Sequence, residues 1–441
     1  NPRIRTSEPV TLDATAGAVT VRLRTGASRS TAAAVDFTVS GLVPGATWYL
    51  HEDDLHRDTP LTVDATGAAR FSKDTAKRHL LSLTATRGSI ELSSATCSSP
   101  TDAGSATTIG TWDAARKTCT LNADYATPPI YIVEDGLTLD CLDAATGRRR
   151  TIGGALRASF GVQVLEKANV TVRNCNLTNV DFGIDSVHAS NFSAEHVSVF
   201  QPPAVLPGSI GFKLEGIDAG FRNLATADFD FGIKANQAAN LQVNGASLRF
   251  GTAGVVVSES DGVLLENVTL EEAASAASRT DPFPAVSLSN ARGVTVRGLR
   301  STHIPSFAAA LSADLGVSNL NVEGAEIRGA VIAINLFETP GAVISGSTLT
   351  DNDEGLFVEG TAKPVVFHNN IYGNRLRQVF ALGPLELSDT RTGSHTFGQG
   401  NWWGRSCPAP LFVAGSDSSA ANVLDSHPYG RASAWATGGA P

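Results

Sequence analysis

Beyond about residue 160, apolar positions recur in short alternating stretches rather than at helical intervals. The phrases FGID, GFKL, FGIK and AGVVV carry Gly183, Gly211, Gly232 and Gly254, which follow one another at twenty-odd positions. Ala285, Ala309, Ala333 and Gly355 continue the series after one longer interval, which holds the insertion EEAASAASRTDPFP. A second column is read as Val170, Val197, Phe221, Leu241, Val263, Val294, Leu320, Val343 and Val365. A third is read as Leu248, Leu270, Leu299, Ile327, Leu349 and Ile371.

Alternation such as Val294-Thr295-Val296 is a strand pattern, and the stretches are too short for helices. A helical solenoid needs apolar residues three and four apart over longer runs. A recurrence of twenty-odd residues with three short strands in each repeat predicts coils stacked at about 4.8 Å, every strand bonded to its counterpart one coil away. Roughly nine coils follow, with an axial length of about 40 Å.

Gly136-Leu137-Thr138-Leu139-Asp140-Cys141, Asn169-Val170-Thr171-Val172-Arg173-Asn174-Cys175 and Asn401-Trp402-Trp403-Gly404 resemble the secreted right-handed parallel β-helix repeat proteins. The resemblance covers some 300 residues and implies an all-β fold. It does not select an activity, because that fold carries lyases, hydrolases, epimerases, phage tailspikes and non-catalytic surface proteins.

The expected organisation is a sandwich over 1–93, a linker and N-terminal cap over 94–125, the β-helix over 126–400 and a C-terminal cap and tail over 401–441. Residues 10 to 93 alternate as in Val19-Thr20-Val21-Arg22-Leu23, with turn signals at Gly41-Leu42-Val43-Pro44-Gly45 and Asp64-Ala65-Thr66-Gly67. The first of these, ahead of Trp48-Tyr49, resembles fibronectin type III and immunoglobulin-like domains, which implies a binding or spacing module. Asn1 to Val10 is expected to act as an arm that pairs with a neighbour. Trp402, Trp403, Pro408 and Pro410 are expected to plug the last coil, since an open end exposes apolar core and strand edges.

Hydrophobic residues make up 42% of the chain and charged ones 17%, the balance of a packed protein rather than a disordered one. With 34 Lys and Arg against 43 Asp and Glu, the net charge of -9 argues against nucleic acid as a partner. No apolar run approaches the length of a membrane span. A chain that starts at Asn1 and has no methionine reads as a processed or trimmed product. Cys97, Cys119, Cys141, Cys175 and Cys407 form no C-x-x-C pair, so disulfides in an exported protein are the better reading than zinc. The expected pairs are Cys97 with Cys119 and Cys141 with Cys175, leaving Cys407 as a buried thiol or an intermolecular link. The sequons at Asn169, Asn176, Asn191 and Asn267 are read mainly as turn-then-strand chemistry.

The phrases that mark polygalacturonases and alginate epimerases are missing, and no P-loop, dinucleotide fingerprint or nucleophile elbow is present. Strand alternation turns Asp185, Lys213, Glu215, Lys234 and Asn236 outward in one column, with Arg173 and Arg222 outward on the next strand. A lyase acting on an acidic glycan needs a base and a cation beside the uronate carboxylate. Lys213 or Lys234 is the candidate base, and Arg173 or Arg222 the candidate cation. The alternative is that these charges are solvated. His51, Asp53 and Asp54 are weak candidates for a divalent cation, calcium included, on a charged turn of the front region. His188, His196, His303, His368, His395 and His427 are scattered without recurring partners.

Two functions remain open. One is a non-catalytic extracellular structural, adhesive or filament-forming protein, at the cell surface or secreted, assembling through the N-terminal arm or Cys407. The other is a polysaccharide lyase, or less readily a glycoside hydrolase, with an acidic polysaccharide in the lysine groove. No other cofactor is expected.

Overall fold

The computed structural model describes residues 3–6, 11–16, 20–26, 34–52, 59–74, 80–84, 90–99, 108–125, 129–154, 158–201, 206–273, 283–304, 308–360, 363–382, 385, 387, 401–404, 411–413 and 423–425. Regular structure among them is β throughout. From Ile90 onward the chain winds as a parallel solenoid of three sheets.

The first sheet runs from Ile90–Leu92 and Ile130–Ile132, through Ala158–Leu165 and Val180–Val187, to Arg377–Ala381. The second stacks Thr118–Leu121, Thr138–Asp140, Thr171–Arg173 and their successors as far as Val365–Phe367. The third runs from Thr151–Ile152 and Asn176–Thr178 to Asn370–Tyr372. Asp218–Asn236 and Ala239–Ser258 pass through all three sheets as continuous strands. The solenoid makes about eleven turns, two more than the repeat pattern suggests. Parallel pairing starts at Ile90–Leu92, ahead of the expected residue 126.

Stacking in register places like on like. Ile90, Ile130, Val162 and Ile184 begin an inward row that ends at Leu356 and Val379, all buried. Burying each such side chain contributes about 1.5–3 kcal/mol, repeated turn after turn. Gly183 sits beside this row because a Cβ there would lie 2.4 Å from the Gly211 carbonyl oxygen and 2.5 Å from Val199 Cγ1. Gly211, Gly232 and Gly254 share its position, and Ala285, Ala333 and Gly355 follow. Three details of the columns differ from the sequence reading. The register puts Ala310, not Ala309, in the glycine row, and Ser301, not Leu299, opposite Leu270. The second column read from sequence merges three inward rows, Val170–Phe192, Val172–Ala194–Phe221 and Cys175–Val197–Leu224, with the half-exposed Val343 and Val365. The shift at Ala309 is invisible because Ala310 beside it is equally apolar, whereas Ser301 puts a buried hydroxyl into an otherwise apolar column.

The corners are left-handed turns. Asn169, Asn191 and Asn267 take φ of 58°, 51° and 54°, so three of the four sequons lie at turn positions, as their chemistry implies; Asn176 opens a strand. At one corner glycine alternates with asparagine: a Cβ on Gly262, at φ 68°, would meet Asn240 Oδ1 at 3.1 Å.

One inner corner changes chemistry along the axis. It starts with the disulfide Cys141–Cys175 and ends in Ser347, Asn369 and Asn401, all buried. Asn369 Oδ1 accepts the Ser347 amide at 2.9 Å, and Asn401 Oδ1 accepts the Asn369 amide at 3.1 Å. Asn401 Nδ2 reaches the carbonyls of Val366 and Leu387, closing the last turn. Trp403 packs into the core, and Trp402 meets Tyr372 edge-on at 4.6 Å, in keeping with a plug. The second expected disulfide, Cys97–Cys119, is also formed and joins the first turn. Cys407, Pro408 and Pro410 lie outside the described residues.

Ahead of the solenoid lie two antiparallel sheets. One orders Arg3–Thr6, Ala34–Ser40 and Ala68–Asp74; the other joins Thr11–Ala16, Thr20–Gly26, Leu80–Thr84, Thr47–Glu52 and Thr59–Thr62. Phe37 and Val39 from the first share a buried cluster with Trp48, Leu50, Leu81 and Leu83 from the second. Arg3–Thr6, within the expected assembly arm, pairs with Ala34–Ser40 of its own chain.

Candidate functional site

Alternation assigns one outward position per turn of the first sheet. In register, that row reads Tyr131, Gln163, Asp185, Lys213, Lys234 and Val256. Three of the candidate residues therefore do stand directly above one another. Glu215 and Asn236 stack in a parallel row two positions along.

Burial changes along this row. Gln163 and Asp185 are only 4% and 2% exposed although their position faces outward, whereas Lys213 is half-buried and Lys234 is exposed. Asp185 is held from both sides: Gln163 Nε2 donates to Oδ2 at 2.6 Å, and Lys213 Nζ lies 3.1 Å from Oδ1. One hydrogen bond and one ion pair offset part of the cost of burying that carboxylate, whose Oδ1 accepts no hydrogen bond. Gln163 Oε1 is buried and accepts no hydrogen bond.

The ammonium groups of both lysines lie over phenylalanine rings at a corner of the coil. Lys213 Nζ is 5.2 Å from the centre of the Phe182 ring, and Lys234 Nζ is 5.4 Å from that of Phe231. Phe182 stacks on Phe160 at 5.5 Å. Cation–ring contacts at these distances favour a fixed ammonium. Among the described residues Lys234 has no ion-pair partner.

The same corner carries a row of hydroxyls and carboxylates. Asp230 accepts the Gly208 amide at 2.7 Å and the Thr252 hydroxyl, while its own amide donates to Ser209 Oγ at 3.0 Å. Asp228 receives Arg249 through Nε at 3.1 Å and Nη2 at 2.7 Å. That paired hydrogen bonding raises the pKa of Arg249 above its ordinary value.

Arg173 and Arg222 belong to the second sheet and contribute to a different row. There Asp140, Arg173, Glu195 and Arg222 succeed one another, and Glu266, Arg297 and Glu323 follow beyond Asn244. Arg173 Nε is 2.9 Å from Asp140 Oδ2, and Arg297 bridges Glu266 and Glu323 at 3.1 and 3.0 Å. This is an alternating charge ladder between coils, so Arg173 is already engaged. His51 lies in the strand Thr47–Glu52, and Asp53 and Asp54 lie outside the described residues. Among the described residues no group of three or more His, Cys, Asp or Glu is placed to hold a metal ion.

Gln163 is absent from the candidates that the sequence suggests, yet Phe160-Gly161-Val162-Gln163 is the same phrase as Phe182-Gly183-Ile184-Asp185, one repeat earlier. The aromatic partners of the lysines are equally legible, as the residue ahead of each glycine.

The winding and its outward rows define a right-handed parallel β-helix protein with a short charged strip on its first sheet. Residues 231–395 match the family described as right handed beta helix region. No curated protein matches the chain in sequence. Among solved structures it is similar to the catalytic domain of a GH87 alpha-1,3-glucanase in complex with tetrasaccharides, at 10% identity and a TM-score of 0.37, covering 87% of this chain and 95% of that one. It is also similar to the catalytic unit of the thermostable GH87 alpha-1,3-glucanase from Streptomyces thermodiastaticus strain HF3-3, at 9% identity and a TM-score of 0.33, with the same coverage. Likeness at this level concerns the path of the chain and not its chemistry. Two disulfides fit an oxidising compartment, and among the described residues no helix is long and apolar enough to cross a membrane.

Proposed function

We propose that this is a non-catalytic extracellular protein, secreted or held at the cell surface, that uses its solenoid as a platform and holds an acidic glycan at the Lys213–Lys234 strip. The observation that carries this reading is the contact of Lys213 Nζ with Asp185 at 3.1 Å. A lysine base must present a free amine lone pair to the substrate, and at Lys213 the nitrogen faces a buried carboxylate instead, which leaves Lys234 as the candidate base without such a partner among the described residues. The candidate cations Arg173 and Arg222 stand on the second sheet, away from this row, so the parts of a lyase centre are not gathered. What the strip offers is one exposed ammonium at Lys234 and a second at Lys213 partly offset by Asp185. Those groups suit carboxylates.

The test is incubation with a panel of uronate polymers, with and without calcium, followed by unsaturated-product absorbance and by retention in affinity gels. Retention without product is the expected outcome, with Lys234→Ala losing retention. Release of unsaturated product would overturn the non-catalytic reading in favour of a lyase.

A further inference from the structure

At the corner between the second and third sheets the chain is ordinarily brief. Asn174 and Cys175 alone join Thr171–Arg173 to Asn176–Thr178, and His196 and Val197 join Phe192–Glu195 to Ser198–Phe200. One turn earlier the same passage, from Thr138–Asp140 to Thr151–Ile152, takes all of residues 141–150. The extra chain leaves the coil as a hairpin loop, closed by an antiparallel bridge between Leu142 and Arg149. Ala144, Ala145, Thr146, Gly147 and Arg148 at its tip are all exposed. Arg148, Arg149 and Arg150 follow on the returning arm, the one run of three arginines in the chain.

The tip is held by bonds within the loop. Gly147 donates its amide to the Asp143 carbonyl at 2.7 Å, Asp143 to the Arg148 carbonyl at 2.8 Å, and Ala145 to Asp143 Oδ1 at 3.0 Å. No apolar side chain of the tip is buried, and the ion pair of Arg148 with Asp124 is an exposed one, which contributes little. The base of the loop is tied more firmly: the Arg150 amide reaches the Cys141 carbonyl at 2.7 Å, and Arg150 Nη2 lies 2.7 Å from Asp143 Oδ2. Local opening therefore costs least at the tip, and cleavage by a protease follows the population of such opened forms. Exposed tips of small and polar residues are where chains are nicked.

Cys141 stands immediately before the loop, and its disulfide partner Cys175 lies one coil beyond it. A cut within the loop thus leaves one cysteine on each product. The two products also stay paired through the stack, Ile130–Ile132 against Ala158–Leu165 and Thr138–Asp140 against Thr171–Arg173.

We propose that the Arg148–Arg149 peptide bond is a processing site for an endoprotease with an acidic specificity pocket, and that Cys141–Cys175 holds the products together as one folded molecule. The exposed Arg148 guanidinium is the group that such a pocket pairs with. Arg149 has no ion-pair partner among the described residues, so it gives up none on entering the protease. Water adds across the bond, leaving a carboxylate on Arg148 and an amine on Arg149, with no change in the solenoid stack. The result is a two-chain protein in which residues 1–148 and 149–441 share a disulfide. The Arg116–Lys117 turn is a poorer substrate, because Asp113 accepts the amides of Ala115 and Arg116 at 3.0 and 3.2 Å and pairs with the Arg116 side chain at 3.0 Å.

The test exposes the full chain, disulfides intact, to trypsin at limiting dose in native buffer. Products are read by denaturing gels with and without reductant, by intact mass and by N-terminal sequencing. The first cut within the solenoid is expected to add one water to the mass, to show as two bands only with reductant, and to give a new N-terminus at Arg149. The far-ultraviolet dichroism of the nicked protein is expected to match that of the intact one. Arg148→Gln/Arg149→Gln, which alters no buried contact, is expected to fold as wild type and to lose this cut. A first solenoid cut elsewhere, the Arg116–Lys117 turn included, a loop that resists the protease, or a double variant nicked at the wild-type rate would overturn the proposal. So would products that part without reductant or a nick that unfolds the chain, since the disulfide and the stack would then not be holding them.

Discussion

Asn369→Leu tests whether polar groups inside the solenoid are held by their ladder or merely tolerated. Asn369 is fully buried; its Oδ1 accepts the Ser347 amide, and its Nδ2 donates to the carbonyls of Ile344 and Phe367 and to Asn401 Oδ1, at 2.8–2.9 Å. Leucine fills a similar volume and removes every one of these bonds. Asn401 Oδ1 keeps the Asn369 amide, but the Ser347 amide and the carbonyls of Ile344 and Phe367 lose this partner. Three groups at about 1–3 kcal/mol each, less about 1–2 kcal/mol for the added apolar burial, give a net loss of roughly 1–8 kcal/mol. That is a large part of the roughly 5–15 kcal/mol that stabilises an ordinary domain. Guanidinium unfolding is expected to show a lower midpoint, and hydrogen exchange of the Ser347 amide to accelerate ahead of amides in the central turns. A shift under about 0.5 kcal/mol with unchanged Ser347 exchange would refute the reasoning, since it would mean that water or a small rearrangement satisfies the same groups.

Other consequences are as direct. Gly183→Ala places a methyl against the Gly211 carbonyl and Val199 and is expected to cost about 1–3 kcal/mol, whereas Gly45→Ala, with open space around it but a φ of 77°, is expected to show only backbone strain; equal effects in thermal melts would contradict the close-approach argument. Asp185→Ala strips Lys213 and Gln163 of their shared partner and is expected to lower stability by about 1–3 kcal/mol, after allowing for the partial exposure of Lys213; a neutral result would show the pair to be incidental. Glu134 has its pKa lowered chiefly by the Ser94 backbone amide, then by the Ser94 side chain and Lys117. A depressed folded-state pKa contributes stability that is present above the unfolded value, about 4.3, and is lost as pH falls through the folded one. Melts compared at neutral and acidic pH are therefore expected to show less acid sensitivity in Glu134→Gln than in wild type, and an identical pH profile would contradict it. Removing the Cys141–Cys175 link, which closes a span of 34 residues, is expected to cost about 3–4 kcal/mol, and a Cys141→Ala/Cys175→Ala variant that melts like wild type would show that stacking alone suffices.

The winding was legible because it is a one-dimensional property. Each turn repeats the same inward and outward alternation, so the glycine row at Gly183, Gly211, Gly232 and Gly254 and the stacking of Asp185, Lys213 and Lys234 follow from spacing along the chain. The frame error at Ala309 arose where two adjacent alanines compete for one inward position, and the one at Leu299 where a buried serine, Ser301, takes the place that an apolar pattern assigns to leucine; both choices are made by the neighbouring coil. The missing turns arose at the N-terminal end, where very short strands and a hairpin, Gly110–Asp113 with Thr118–Leu121, interrupt the repeat.

By itself, then, the sequence determined which side chains face the interior and which recur at one level of each turn, because alternation and repeat length are local. Only the tertiary structure decided what the outward residues do. Whether Lys213 stands alone or in an ion pair depends on Asp185, a full coil earlier in the chain. Whether Arg173 belongs with the lysines depends on which sheet it occupies. Partner and burial are set by coils that meet across the stack, and no short window along the chain contains both members of such a pair.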